Sequence, residues 1–509
     1  MRKAWRWAIP AALIAVAIPV AVIQFAIAHA EPILKGRVVE TLKSRFGSDV
    51  QLDTLHVSIV HGVDVTGGGL RIFPEKETMA AGDRDPLIAI GQFNFHATVM
   101  GLIFKPTHVG TVHVRGLAIH VPPPARRNAS SRRRIGKVKF RVDEIVCDDS
   151  ELVIGTDKPD KDPRVFQLKH IVLHDLGPGQ AWPFDALLTN PVPQGEIHAV
   201  GTFGPWNTED PGNSNVTGKY AFEHADMNTI KGLGGTLHST GSFDGQLDRI
   251  AVRGRTEVPD FSLDTANHPM PLTTDFQAVV DGTSGDTYLE QIDAELSGTH
   301  FICKGAVVNE KGKGHHITVT VDVSEGRIED FLELAVKAQP APMSGRLTLH
   351  STLDISPGPQ SVTKKLALKG GFSLQQIHFT NPEIEDKVDI LSLRAQGKID
   401  NLKPGAPDVQ SRMVSDFTMQ KGELNFSRLD YSLPGGDVQL IGTYRIDGRV
   451  CNFTGKVKTS AEVSEMVASK WKRILLKPLD PIFRKKGWGT VIPVKVSGSN
   501  GKVHFGYHF

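Results

Sequence analysis

The sequence is poor in the groups that carry out chemistry. Cysteine is nearly absent, with Cys147, Cys303 and Cys451 the three in 509 residues. They lie far apart, form no CxxC pair and match no zinc spacing, and their odd number excludes a disulfide framework. An oxidising compartment would allow one bridge, but buried free thiols are the expected state, because a lone cysteine packs as a small apolar side chain. No HExxH, GxSxG or P-loop motif occurs. Gly67-Gly68-Gly69 reads as a turn signal leading into a strand, so it offers no helix N-terminus to a phosphate. The 20 histidines show no ligand spacing. His315 and His316 open a strand, where adjacent side chains point to opposite faces and do not share a metal. Asp143, Glu144, Asp148, Asp149 and Glu151 read as a solvated strand-turn-strand. A net charge of +2 supplies no field for nucleic acid. The expectation is a protein that is not an enzyme, with no catalytic residues, metal, cofactor or nucleic-acid partner.

Long apolar runs are also missing, with one exception. From Trp7 to Ala30 no residue carries a formal charge. A helix needs about 20 such residues to cross a hydrocarbon core of about 30 Å. Arg2, Lys3 and Arg6 precede the run and Trp5 and Trp7 flank its entry, the positive-inside arrangement with an aromatic anchor. Pro10 and Pro19 are tolerable in a membrane helix. The run is expected to be an uncleaved, single-pass anchor with its N-terminus cytoplasmic and everything beyond Ala30 exported. Ala28-His29-Ala30 also fits the cleavage site of a signal peptide, although the apolar run exceeds the usual h-region of about 7 to 15 residues.

What is abundant is turn and strand material: 50 glycines and 31 prolines. Pro32 opens a helix-like segment with Leu34, Val38, Leu42 and Phe46 on one face and Gly47 at its end. The period then falls from about 3.6 to about 2. Val50, Leu52, Leu55, Val57 and Ile59 read as one or two strands, and Leu70 to Phe73 as another. Ile317, Val319, Val321 and Val323 share a face opposite Thr318, Thr320 and Asp322. Leu347, Leu349, Leu353 and Ile355 alternate in the same way, as do Leu366, Leu368, Phe372 and Leu374. Val438, Leu440, Tyr444 and Ile446 repeat the pattern, and Val503, Phe505, Tyr507 and Phe509 close the series. One apolar and one polar face per strand predicts an antiparallel sheet with one side wet.

A loose motif recurs: an apolar residue, a glycine two positions on, and an apolar or aromatic residue two beyond that. It appears at Ala199-Gly201-Phe203, Val216-Gly218-Tyr220, Leu368-Gly370-Phe372, Ala395-Gly397-Ile399, Leu440-Gly442-Tyr444 and Phe453-Gly455-Val457. Looser copies centre on Gly241 and Gly305. The uneven spacing excludes a solenoid of fixed period. Glycines on an apolar face let a sheet curl around that face, or make room for neighbouring aromatics in a curved sandwich; both readings stay open. In either, Phe203, Tyr220, Phe372, Leu374 and Tyr444 line the apolar interior.

Two stretches break the alternation. Pro122-Pro123-Pro124 with Arg126, Arg127, Arg132, Arg133 and Arg134 reads as a linker, mobile or drawn to anionic headgroups. From Ala461 to Trp488, the apolar residues Val463, Met466, Val467, Trp471, Ile474, Leu475 and Leu479 suit a helix interrupted at Pro478 and Pro481. Lys470, Lys472, Arg473, Lys477, Arg484, Lys485 and Lys486 make it basic. With Trp471 they are membrane-surface candidates; the plainer alternative is a helix capping the end of the sheet.

The chain resembles the AsmA-like proteins of Gram-negative envelopes. The likeness rests on the anchor with the hairpins from Val50 to Phe73, on Gly422-Glu423-Leu424 through Leu433-Pro434-Gly435-Gly436 to Gly442-Thr443-Tyr444, and on Leu479-Asp480-Pro481 with Ile492-Pro493-Val494-Lys495-Val496-Ser497-Gly498. Gly201-Thr202-Phe203-Gly204-Pro205-Trp206 adds to it. The resemblance implies an inner-membrane anchor carrying an elongated periplasmic β-groove, a link to outer-membrane homeostasis, and conduction of phospholipid along an apolar trough. The expected partners are membrane lipids through their acyl chains. A second expectation is a structural or assembly factor that holds envelope proteins at an open sheet edge. The resulting layout is an anchor at 1–30, a helix and hairpins at 31–121, the linker at 122–136, the groove at 137–460, the basic segment at 461–489 and closing strands at 490–509. Roughly 25 to 30 strands at about 4.8 Å each would stack into a sheet on the order of 120 to 145 Å long.

Overall fold

The computed structural model describes residues 35–507 apart from short breaks, the longest at 74–85, 98–106, 122–139 and 399–408. The predicted anchor, the Pro/Arg linker, Lys485 and Lys486 lie outside the described residues. Among those described, no helix is long and apolar enough to cross a membrane.

The alternation that fills the sequence is realised as 25 strands among the described residues. Apart from the two-residue strand Leu233–Gly234, they follow one another in a single ladder. It starts with Val50–Gln51 and Thr54–Ser58, both paired with Val63–Ile72, and ends at Lys502–Tyr507. From Val63–Ile72 onward each new strand of the ladder pairs with its predecessor, so the sheet is a meander built mostly from local hairpins.

Two expectations are corrected in detail. The sheet is mixed, not wholly antiparallel, because Thr107–Val121 pairs in parallel with Phe140–Ile154. Alternation reports which face a side chain takes and is blind to strand direction, so this pair was invisible to it. The supposed turns within Val63–Ile72 and Phe140–Ile154 are interior to single strands. Gly69 absorbs a positive φ of 67°, and Asp149 one of 50°, so the chain kinks there without leaving the ladder.

The curvature has a local cause. A Cβ at Gly201, Gly305, Gly370 or Gly455 would fall within contact distance of a carbonyl oxygen on the neighbouring strand, belonging to Thr217, Thr318, His350 and Gln439 respectively. On that face the adjacent backbones converge, and only glycine leaves them room.

Among the described residues helices are few, and those that join the later strands gather at one rim, because alternate connections of a meander fall on the same side. There α1 (Ile328–Ala335) joins Gly314–Arg327 to Met343–Ile355, and α2 (Pro382–Ala395) joins Leu366–Phe379 to Arg412–Gln420. Further on, α3 (Lys470–Leu476) and α4 (Asp480–Phe483) precede Thr490–Ser499. Ile328 and Phe331 of α1 pack on the cluster formed by Leu347, Leu374 and Ile377. Thr299 Oγ1 donates to buried Asp330 at 2.6 Å and fixes α1 in place. Asn381 caps α2 by accepting from Glu383 N at 2.9 Å, with Pro382 in the first turn. The basic segment is broken, as its prolines predict, into 3-10 turns at Val463–Met466 and Lys477–Leu479 around the two short helices.

Candidate functional site

The register lays side chains of successive strands into rows that cross the sheet. One row starts at Leu55 and steps through Gly67, Phe93, Val114, Cys147 and Ile171. It continues through Ala186, Ala199, Tyr220, Gly241, Gly254 and Phe276. Ile292, Cys303, Val321, Ser351 and Gly370 follow. Phe417, Phe426, Gly442, Phe453 and Val496 complete it. No member is charged.

A second row runs two residues away on the same face. It begins with Val57, Val65, Phe95, Val112, Ile145 and Leu173. Next come Phe184, Gly201, Gly218, Phe243, Val252 and Ala278. Leu289, Gly305, Val319, Leu353 and Leu368 carry it on, and Met419, Leu424, Tyr444, Cys451 and Gly498 end it. This row is also free of charge. The parallel pair interrupts neither.

The opposite face is polar and paired. His96 with Asp64, His170 with Asp148 and His198 with Asp185 each approach to 2.7 Å. Arg255 bridges Glu257 at 2.9 Å and Asp275 at 3.0 Å. Exposed pairs of this kind add little stability, but they keep charge on the outer face.

Large side chains on the apolar face are mostly half-buried, because the ladder is one layer. Phe203, Tyr220, Phe372 and Tyr444 are all in this state, whereas Leu374 is 2 % exposed. The five share the face but not a pocket. Phe203 tilts against Trp182 with ring centroids 6.3 Å apart, Phe372 meets Phe417 at 6.1 Å, and Phe372 and Leu374 belong to the cluster under α1. Several glycines sit beneath aromatic rings: a Cβ at Gly218 would come within 2.7 Å of Phe243, and one at Gly241 within 2.7 Å of Tyr220. Close backbone approach and room for a ring are both present, and they coincide at Gly218 and Gly241, which also meet the carbonyls of Val200 and Arg253. The Tyr220 hydroxyl lies 3.1 Å from Ser239 Oγ, and burial raises its pKa more than that contact lowers it.

Comparison with protein-family models, with characterised proteins and with solved structures returns no match for this chain. The functional reading therefore rests on the face itself.

All three cysteines are free and lie in the two rows. Burial, helped by Asp148 and Asp322, pushes the Cys147 and Cys303 thiols up to about 11, so both are protonated and weakly nucleophilic at neutral pH. His315 and His316 diverge as alternation requires. The His316 ring lies 2.9 Å from Asp354, which raises its pKa, while burial lowers that of His315. Among the described residues no three His, Cys, Asp or Glu side chains are placed to share a metal ion.

The membrane-surface candidates divide. Lys472, Lys477 and Arg484 are exposed. The side chains of Lys470, Trp471 and Arg473, like Lys485 and Lys486, lie outside the described residues. The sequence reading missed α1 and α2, which roof the rim. Ile328, Phe331, Leu332 and Ala335 carry the helical spacing, and Asn381-Pro382-Glu383 is a start signal.

Proposed function

We propose that the apolar face is an open trough that binds acyl chains of membrane lipids non-covalently, with headgroups left in water, in a protein that has no catalytic activity. The observation that carries this reading is the pair of charge-free rows, unbroken from Thr54–Ser58 to Thr490–Ser499. A soluble sandwich would cover such a face with a second sheet. Here the ladder is a single layer, and its large apolar side chains keep surface to cover. An acyl chain laid on them would gain about 0.8 kcal/mol for each CH₂ removed from water. At about 4.8 Å per strand the ladder runs on the order of 110 Å, far longer than one lipid, so several would lie in file.

The resemblance to AsmA-like proteins agrees with this reading. It would place the trough on the periplasmic side of the inner membrane, held by the apolar N-terminal run, in support of outer-membrane homeostasis. The full chain should carry lipid through purification, detectable by mass spectrometry of an organic extract. A photo-crosslinking residue at Val252, on the apolar face, should capture that lipid, and one at Arg253, on the polar face, should not. Equal capture at both positions, or no lipid above a control protein from the same membranes, would overturn the proposal.

A further inference from the structure

The three most exposed large apolar side chains among the described residues fall within one stretch of nine residues, 474–482. Ile474 is 74 % exposed, Ile482 69 % and Leu475 64 %. They project from α3 and α4, beside exposed Lys472, Lys477 and Arg484. The usual pattern of a helix on a sheet is inverted here, with apolar groups facing water and an acidic group facing in. Asp480 is 4 % exposed and accepts from Ser464 N at 3.0 Å and from Ser464 Oγ at 2.7 Å.

The segment is held, not loose. Glu462 and Glu465 form a reciprocal capping box at its start, and Arg484 pairs with Glu462. Buried Thr490 donates to Ala461 O at 2.9 Å, tying the segment to the next strand. Pro478 stands in the 3-10 turn between the helices and Pro481 in the first turn of α4, so the exposed apolar groups stand on two short pieces, the second opening at the buried Asp480. An end cap would turn Ile474, Leu475 and Ile482 toward the sheet. These three are presented outward at the rim beside the paired strands Val450–Thr459 and Thr490–Ser499.

We infer that this knob docks on an anionic lipid bilayer, with Ile474, Leu475 and Ile482 entering the interface and Lys472 and Lys477 meeting headgroups. Apolar groups ringed by cations match that surface: burial supplies the insertion and charge supplies the preference for anionic lipid. A water-filled protein groove of opposite charge would match the cations but leave the outward isoleucines unexplained. The inference does not rest on lipid binding in the trough, and the two fail separately.

The test uses the full chain with Cys451→Ser and Leu475→Cys, labelled at position 475 with an environment-sensitive fluorophore. Buried Cys147 and Cys303 stay unlabelled. Mixed with phosphatidylcholine vesicles containing phosphatidylglycerol, the label should rise several-fold in emission and return as salt is added. Vesicles of phosphatidylcholine alone should give a much smaller rise. Reversing Lys472 and Lys477 to Glu should weaken the response by at least about fivefold per position. Both side chains are exposed, so the fold should persist, and circular dichroism checks it. A label placed at Val200→Cys, on the polar face, should stay in water throughout. A label at 475 that stays in water with both vesicle types, or responds equally to both, would overturn the inference, and the first result would point to a protein partner for the knob.

Discussion

The phenol of Tyr220 reaches past the neighbouring strand to lie over Gly254. A Cβ at Gly254 would come within 2.5 Å of the Tyr220 hydroxyl oxygen and 3.0 Å of the Phe276 ring. The same tyrosine covers Gly241, which pairs with Gly254 in the register. One aromatic therefore spans the space that two side chains would otherwise fill. Flat glycine positions roofed by a ring keep the face continuous and apolar while the backbones draw together. The carbonyl of Thr240 would stand only 2.7 Å from the same Cβ, so ring and backbone both hold the position to glycine.

Gly254→Ala should cost about 1–3 kcal/mol, the range for overpacking a site that cannot give way. The midpoint of denaturant unfolding measures it. Gly506→Ala is the control: nothing lies within 4 Å of its Cβ and no positive φ is involved, so the midpoint should hold. Tyr220→Ala combined with Gly254→Ala should cost less than the sum of the two, because the ring clash is gone. Full additivity would mean that the Thr240 carbonyl alone forbids the side chain.

The faces of this sheet were legible in the sequence because side-chain period is a property of a single strand. Ile317, Val319 and Val321 needed no knowledge of their partners, and their neighbours across the ladder, Leu353 and Ser351 among them, fall on the same face. Strand direction is a property of a pair, which is why the parallel match of Val112 with Ile145 was missed. The glycine motif found the right face, placing Tyr220 and Tyr444 on it, but spacing cannot say whether a glycine admits a ring or a backbone. Gly218 does both, lying near the Phe243 ring and the Val200 carbonyl. The rim helices were obscured because α1 is only two turns long and sits between strands of stronger pattern.

A charge on the apolar face should have opposite effects at two paired positions. Val252 is half-buried, and Ala278 opposite it is 4 % exposed. Val252→Asp should fold, with an unchanged circular dichroism spectrum, and should lose at least most of the co-purifying lipid. Ala278→Asp should lose the fold, since a buried unpaired carboxylate costs several kcal/mol. Phe372→Asp falls with Ala278→Asp, because Phe372 packs on the Leu347–Leu374–Ile377 cluster. A folded Val252→Asp chain with undiminished lipid would remove this part of the face from the proposed trough.

The thiols give a probe of the same face. With pKa values pushed up to about 11 by burial, Cys147 and Cys303 should react slowly with maleimide in the folded chain. Cys451 is less buried and should be modified first. Mass spectrometry after timed quenching should therefore show one adduct early and three only after denaturant. Early modification of Cys147 would mean that the strand Phe140–Ile154 opens on the timescale of labelling.

The adjacent histidines should give stability two opposing dependences on pH. His316 beside Asp354 has its pKa raised, so its charged form is favoured by folding. That contribution is complete below the unfolded value of about 6.5 and disappears as pH rises through the higher folded value. His315 has its pKa lowered, first by burial and then by the Arg164 charge, against the opposing pull of Asp286. Folding favours its neutral form, so stability is lost as pH falls from about 6.5 toward the lower folded value. His316→Gln should therefore lower the thermal midpoint at about pH 5.5 and leave it unchanged near pH 8.5. His315→Gln should raise the midpoint at about pH 5.5, because no buried imidazole remains to be charged, and have little effect near pH 8.5. The difference between the two variants should thus appear only in acid. Shifts of the same sign at low pH would contradict the opposed pKa directions that Asp354 and burial give these neighbours.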